Sequence, residues 1–286
     1  MFTIATFYKC LMLNTDEVKH SLEAFKLQTD IVGTIILTPE GINSTVASKN
    51  LESLKDLKDS LERHTGELCF RFSNSSRKPF KRFKLKERTE LVPSGTSLKA
   101  YDFEGKYLNP KQWNDLIKEK NSLIIDVRNI YETKVGSFKN SLSPKTKNFR
   151  EFKDFVDSNL DLLKRKKLGI FCTGGIRCEK ASAILNEKGV ENTYQLEGGI
   201  LNYLDSDIDK ENWIGECFVF DERVTVDKKL DPGIFIQCFA CRRPLSPEDI
   251  KHKDYVKGIS CLYCINEKSE FDRKRYRDRQ RQFEIK

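Results

Sequence analysis

The stretch FCTGGIRCEK, Phe171 to Lys180, lies between a short apolar run, Leu168–Phe171, and a segment with helical spacing, Arg177–Lys188. An apolar run of that length ended by glycines reads as a buried strand of a parallel sheet, and the glycine pair turns the chain into a helix. Sites in open α/β sheets form beyond the carboxyl ends of strands, and Cys172 is the first residue past this one. Gly174 and Gly175 allow a tight turn with inward N–H groups, the helix start adds positive potential, and Arg177 adds a fixed charge. Together they predict a lowered pKa for Cys172 and a nucleophile at neutral pH. The plainer reading is a buried cysteine beside a helix cap.

Working outward, Asn109-Pro110 opens a helix through Trp113 and Ile117, and Leu123–Val127 (LIIDV) is a second buried strand. Helical segments follow at Asn148–Val156 and Leu160–Lys164. Beyond the cysteine loop come a third strand, Thr193–Leu196, and Gly198-Gly199 leading into Ile200–Leu204. Strands alternating with helices predict a doubly wound α/β domain over residues 107–205. Residues 1–76 read differently: strand Thr3–Cys10, helix Thr15–Leu27, strand Ile31–Leu37, a turn at Pro39-Glu40-Gly41, strand Ile42–Ala47, helix Leu51–Leu61, strand Leu68–Phe72. That order, βαββαβ, is the ferredoxin-like (acylphosphatase-like) unit. A basic linker, 77–106, and a C-terminal region, 206–286, complete the division.

The chain has 286 residues, enough for about two domains, and its 38% hydrophobic and 33% charged content is that of a folded chain. No run approaches the roughly 18 apolar residues of a membrane span. The opening MFTIATFYKC lacks the pattern of a secretory leader, so a soluble, cytoplasmic protein without a membrane partner is expected. Nine cysteines, mostly grouped, point to metal or catalytic use rather than disulfides, with Cys10, Cys69 and Cys217 read as buried apolar residues.

The net charge of +8 is concentrated: residues 77–100 hold eight basic and two acidic side chains. Within it RKPFKRFKLKER, 77–88, offers Arg77, Lys78, Lys81, Arg82, Lys84, Lys86 and Arg88, with Phe80 and Phe83 among them. Cations neutralise phosphates and aromatics stack on unpaired bases, so single-stranded or loop RNA is one expected partner. An exposed edge strand with ordinary charges is the other reading.

Cys238-x2-Cys241, nineteen residues, then Cys261-x2-Cys264 has the spacing of a four-cysteine structural zinc site. Pro244, Ser246-Pro247 and Gly258 around it favour a loop-rich knuckle over a redox CxxC pair, which would follow a strand and open a helix. The tail Arg273–Arg281, with six basic residues and one acidic, is either a helical phosphate-contacting arm or a solvated tail.

Residues 107–205 resemble a rhodanese domain, with Asp126-Val127-Arg128 ending a strand, Tyr131-Glu132 after it, and Cys172–Arg177 in the active-site place. The C-x4-R loop is that of sulfurtransferases; related phosphatases use C-x5-R, so phosphate-ester hydrolysis is disfavoured. With the βαββαβ head, PEGIN (Pro39–Asn43), DVRN (Asp126–Asn129), GGI (Gly198–Ile200), GECFVFDERV (Gly215–Val224) and the double CxxC, nearly the whole chain is similar to the YceA/TrhO (UPF0176-like) family of oxygen-dependent tRNA uridine hydroxylases. The resemblance implies a catalytic Cys172 in the loop Thr173, Gly174, Gly175, Ile176 and Arg177, oxygen as co-substrate, and the wobble uridine of the tRNA anticodon loop, position 34, as substrate, converted to 5-hydroxyuridine. No flavin or haem motif is visible. Either the thiolate adds to uracil C6, or Cys172 carries an oxidised or persulfide sulfur with Cys178 as resolving thiol; Cys178 could equally just pack. Asp126, Arg128 and Glu132 are expected to orient the loop through ion pairs. A persulfide sulfurtransferase and a non-catalytic RNA-binding zinc adaptor are the competing readings.

Overall fold

Alternation along the first strand sets up the N-terminal sheet. In β1 (Phe2–Cys10), Ala5 and Phe7 join the core under the helices, while Thr6 and Tyr8 point to the opposite face. In the computed structural model, which describes residues 1–26 and 30–284, there follow α1 (Thr15–Lys26), β2 (Val32–Thr38), β3 (Gly41–Ser48), α2 (Leu51–Thr65) and β4 (Arg71–Ser75). Leu27, the expected end of the first helix, lies outside the described residues. Leu54, Leu57 and Leu61 of α2 and Val18 and Leu22 of α1 pack on Ile35, Leu37, Ile42 and Val46. The strand expected at Leu68–Phe72 begins later, because Leu68 is a core plug whose N–H donates to the Glu62 carboxylate at 2.7 Å.

The expected linker contains a fifth strand, β5 (Phe83–Glu87), which pairs parallel with β2 from Gly33 opposite Phe83 to Leu37 opposite Glu87. The sheet order is β4-β1-β3-β2-β5. The basic stretch is thus an edge strand of the head sheet. Phe83 and Leu85 turn into the helix-side core, so Phe83 is a packing residue and not a stacking platform.

The second domain contains β6 (Tyr107–Leu108), α3 (Pro110–Lys118), β7 (Ser122–Asp126), α4 (Ile130–Thr133), β8 (Gly136–Phe138), α5 (Phe152–Ser158), α6 (Leu160–Lys164), β9 (Lys167–Phe171), α7 (Ile176–Glu187), β10 (Thr193–Leu196) and α8 (Gly199–Asp205). Its four-stranded parallel sheet has the order β6-β10-β9-β7. Ile125, Leu168 and Ile170 pack under α5, α6 and α7 on one face; Ile124 and Phe171 meet Trp113 of α3 and Ile200 and Tyr203 of α8 on the other. The alternation places helices on both faces, as doubly wound topology requires.

The rest is built of short pieces: β11 (Trp213–Gly215) against β8, a β12 (Cys217–Phe218)–β13 (Thr225–Val226) pair, a β14 (Ile236–Gln237)–β15 (Pro244–Leu245) pair, and α9 (Glu270–Glu284). The basic tail is helical and fastened: Arg279 donates to Phe239 O at 2.8 Å and Gly258 O at 3.0 Å, and Arg273 donates to Ile265 O. Among the described residues no helix is long and apolar enough to cross a membrane.

Buried polar contacts lock head and second domain together. Lys180 Nζ donates to Glu40 at 2.9 Å with both side chains buried, and Lys99 reaches the other oxygen of Glu40 at 3.2 Å. Tyr8 and Tyr107 donate to the two oxygens of Glu179 at 2.8 and 2.9 Å. Arg223, paired with Asp221, also reaches Ser73 on the head at 3.4 Å.

Candidate active site

The chain leaves β9 at Phe171, and the next carbonyls are tied down by the start of α8. Ile200 N–H donates to Cys172 O at 3.0 Å and Leu201 N–H to Thr173 O at 3.1 Å. A Cβ on Gly199 would stand 2.5 Å from Cys172 O, so only glycine lets the two segments approach. Gly175, at φ +104°, turns the loop back so that its N–H donates to Cys172 Sγ at 3.1 Å.

Cys172 is 1% exposed, and burial alone would raise its pKa. A hydrogen bond from the Cys178 thiol, the Arg177 charge and the N–H groups of Arg177 and Gly175 overcome that penalty and bring it down to about 6. The same contacts push Cys178 the other way: burial, then the neighbouring Cys172, hold its pKa well above the ordinary value. These opposed shifts favour the thiolate at Cys172 and the neutral thiol at Cys178 near pH 7. Arg177 is fixed by Glu132 through two bonds of 2.6 and 2.7 Å, and Glu132, fully buried, also accepts the Asn129 N–H at 3.2 Å.

Asp126 and Arg128 form their own bidentate pair, 2.9 and 2.6 Å, with Arg128 also donating to Gly136 O at 2.6 Å. Both are fully buried, and Arg128 lies over the rings of Phe171 and Trp213. They brace the strand end from below; Glu132 alone of the three expected orienting residues touches the loop arginine.

The thiolate opens into a cleft of about 800 Å³. One wall is the open face of the head sheet, including Thr6, Tyr8, Thr34, Asn43 and Lys86; the other is the loop with Tyr131, Arg150 and the turn Val219–Arg223. Phe220, 63% exposed, stands at its edge with its ring 5.9 Å from the Arg177 guanidinium. The turn that carries it closes on Val224 at φ +65°, a strained conformation for a β-branched residue.

Residues 2–91 match the model of the UPF0176 acylphosphatase-like domain, and residues 109–206 match the rhodanese-like domain. This is the architecture of the YceA/TrhO (UPF0176) family. Among solved structures, the chain is similar to a rhodanese-like domain from Anabaena (19% identity over 35% of this chain and 74% of that one, TM-score 0.30). It is also similar to a rhodanese-related protein from Thermoplasma volcanium (24%, 36% and 95%, 0.30). A third is a protein of unknown function from Rhodopseudomonas palustris, titled a possible tyrosine phosphatase (21%, 37% and 83%, 0.32).

In this UPF0176 chain the family motifs divide by task. PEGIN supplies Glu40 to the domain joint and Asn43 to the cleft; CEK supplies Cys178 beside the thiolate, Glu179 to the two tyrosines and Lys180 to Glu40. Of the basic set read from residues 77–88, Lys86 lines the cleft, together with Phe80; Arg77, Lys78, Lys81, Arg82, Lys84 and Arg88 are exposed outside its lining. Tyr8, Arg150 and Phe220 were not legible as cleft residues, because only the docking of three chain segments brings them to Cys172.

The sulfur atoms of Cys238, Cys241, Cys261 and Cys264 all lie within 4.8 Å of one another. Two of the separations, Cys241 to Cys261 and Cys261 to Cys264, are 3.8 and 3.7 Å. A tetrahedron with Zn–S bonds of about 2.3 Å has S···S edges of about 3.8 Å, so the quartet fits zinc held by four sulfurs. Such a centre leaves no open coordination position and holds the knuckle together.

Proposed function

We propose that this chain hydroxylates C5 of the wobble uridine, position 34, of tRNA, with molecular oxygen as co-substrate and Cys172 as the reacting group. The observation that carries the reading is the size and lining of the cleft above the thiolate. A sulfur anion needs little more than the loop, whereas about 800 Å³ walled by a polar sheet face is the volume of a nucleotide site. Cys172 sits at the floor, so a uridine reaches it only when its base is turned out of the stack.

In this mechanism Sγ bonds to C6 and the C5=C6 electron pair moves onto C5 and O4, making C5 nucleophilic towards the oxidant. C5 takes up O2 as a hydroperoxide, the C5 proton leaves and the S–C6 bond breaks, restoring the ring and freeing the thiolate, which then attacks the outer oxygen and breaks the O–O bond to leave 5-hydroxyuridine. Hydroxylation by oxygen also needs two electrons and two protons. Cys172 and Cys178 can supply them: uridine, O2 and two thiols give 5-hydroxyuridine, water and a disulfide, which an external thiol then reduces.

Cys172→Ala is expected to abolish 5-hydroxyuridine and its derivatives in cellular tRNA, measured by nucleoside mass spectrometry; retained modification sinks the proposal. Cys178→Ser keeps the modification if the electrons come from elsewhere and loses it if the thiol pair provides them. A second reading rests on the loop: its Sγ already receives the Gly175 N–H, as a transferable persulfide would require, and a loss confined to thiolated nucleosides would favour sulfur transfer. An unchanged nucleoside profile in a deletion strain would favour an RNA-binding adaptor.

A further inference from the structure

We infer that a second subsite, for the nucleotide flanking the reacting one in single-stranded RNA, lies between α4 and the cysteine knuckle. The inference rests on the reading of the Cys172 cleft as an RNA site. Two hollows outside that cleft carry it. One, of about 260 Å³, is lined by Tyr131, Phe218 and Phe220 and by Lys147, Arg242 and Arg243. The other, of about 440 Å³, shares Tyr131, Lys147 and Arg243 with the first and extends to Lys134 and Tyr263. Tyr131 borders both hollows and the cleft, and Phe220 borders the first hollow and the cleft, so the three spaces share aromatic walls.

The residue types suit one occupant. The cations of the lining neutralise backbone phosphates, and its aromatic rings accept a base without reading its sequence. Phe220 and Tyr131 are held edge-on to Phe218 at 5.1 and 5.5 Å, which fixes them as a shelf between cleft and hollow. Arg243 is anchored to Tyr263 O at 2.8 Å and to Glu267 at 2.9 Å. Arg242 keeps a left-handed backbone, φ +67°, right after Cys241, and donates to Gln237 at 3.0 Å. Asp249, the acidic residue in the larger hollow, is occupied by the Tyr263 hydroxyl and the Ser246 N–H. A mononucleotide fills only the cleft, while a strand fills cleft and hollow together.

The test compares a short single-stranded oligouridylate with uridine 5′-monophosphate, binding to the full chain across a salt series. Phe220→Ala is expected to weaken the oligonucleotide roughly tenfold. Lys147→Ala with Arg242→Gln is expected to flatten its log K against log salt slope by about 1.4, at ~0.7 per lost phosphate contact, and to leave the mononucleotide's affinity as it was. Equal losses for both ligands in the Lys147→Ala, Arg242→Gln variant, unchanged oligonucleotide binding, or an oligoglutamate peptide that binds as tightly as the RNA would overturn the subsite. Lys147→Glu alone, at an exposed position outside the four-cysteine segment, repeats the salt test should Arg242→Gln disturb the knuckle. Failure of the cysteine chemistry would appear as retained modification in Cys172→Ala and would leave these affinities unaltered, so the two proposals fall separately.

Discussion

Cys172 shows how a loop overrides burial. Transfer of a thiolate into the interior is costly, yet three donors and one guanidinium converge on Sγ and lower the pKa from 9.0 to about 6. Alkylation by iodoacetamide is therefore expected to rise through about pH 6 and level off above it, followed by mass spectrometry of the Cys172 peptide. Cys10 and Cys217, pushed up to about 12 by burial, stay slow over the same range. Because the folded pKa lies below the unfolded one, the thiolate's contribution to stability is complete above about pH 9 and is lost as pH falls through about 6. Arg177→Leu removes the charge while leaving the N–H groups of the loop, and should move the alkylation midpoint upward by about one unit or more. A midpoint still near 6 would mean that the backbone and Cys178 suffice.

Among elements, the β2–β3 turn and α7 are coupled by the buried Glu40–Lys180 pair, whose partners are 140 residues apart in sequence. Removing one partner of a buried ion pair typically costs about 3–5 kcal/mol. Because Lys99 stays on the other oxygen of Glu40, Lys180→Met should lower unfolding stability by about the low end of that range in denaturant titration, and adding Glu40→Gln should recover part of it, with Lys99 turning to solvent. Additive losses in the double variant would show that the two residues do not act as a pair. The joint matters for the site because α7 carries Arg177 and Cys178 while the head sheet supplies the opposite wall. Tyr8 makes the connection direct: it bonds Glu179 of α7, and its hydroxyl lies 2.7 Å from where a Gly175 Cβ would be.

At the scale of the molecule, the cysteine knuckle holds α9 through Arg279 and Arg273, so a metal bound by the four cysteines would also hold α9. Chelation should therefore open residues 236–284 to limited proteolysis while the two sheet domains keep their far-UV signal and their unfolding transition. Metal analysis finding no zinc, or a chelated chain with unchanged proteolysis, would count against a four-sulfur centre. Much of this organisation was legible in the chain itself. The βαββαβ order, the parallel strands LIIDV and Leu168–Phe171, the Cys172 loop and the CxxC spacing all rest on local periodicity or on separations of a few residues, which fix backbone geometry before any docking. The fifth strand, the inward turn of Phe83, the Glu40–Lys180 joint and the meeting of Tyr8, Phe220 and Arg150 around Cys172 were not. Those depend on which sheet edge receives a strand and which face of one domain meets another. Period-2 alternation tells that Lys86 and Phe83 point opposite ways, but only the pairing of β5 with β2 decides which of them faces the cleft. The sequence determined an activated cysteine on a parallel sheet; the tertiary structure decided what stands over it, because surfaces remote in sequence become neighbours only through packing.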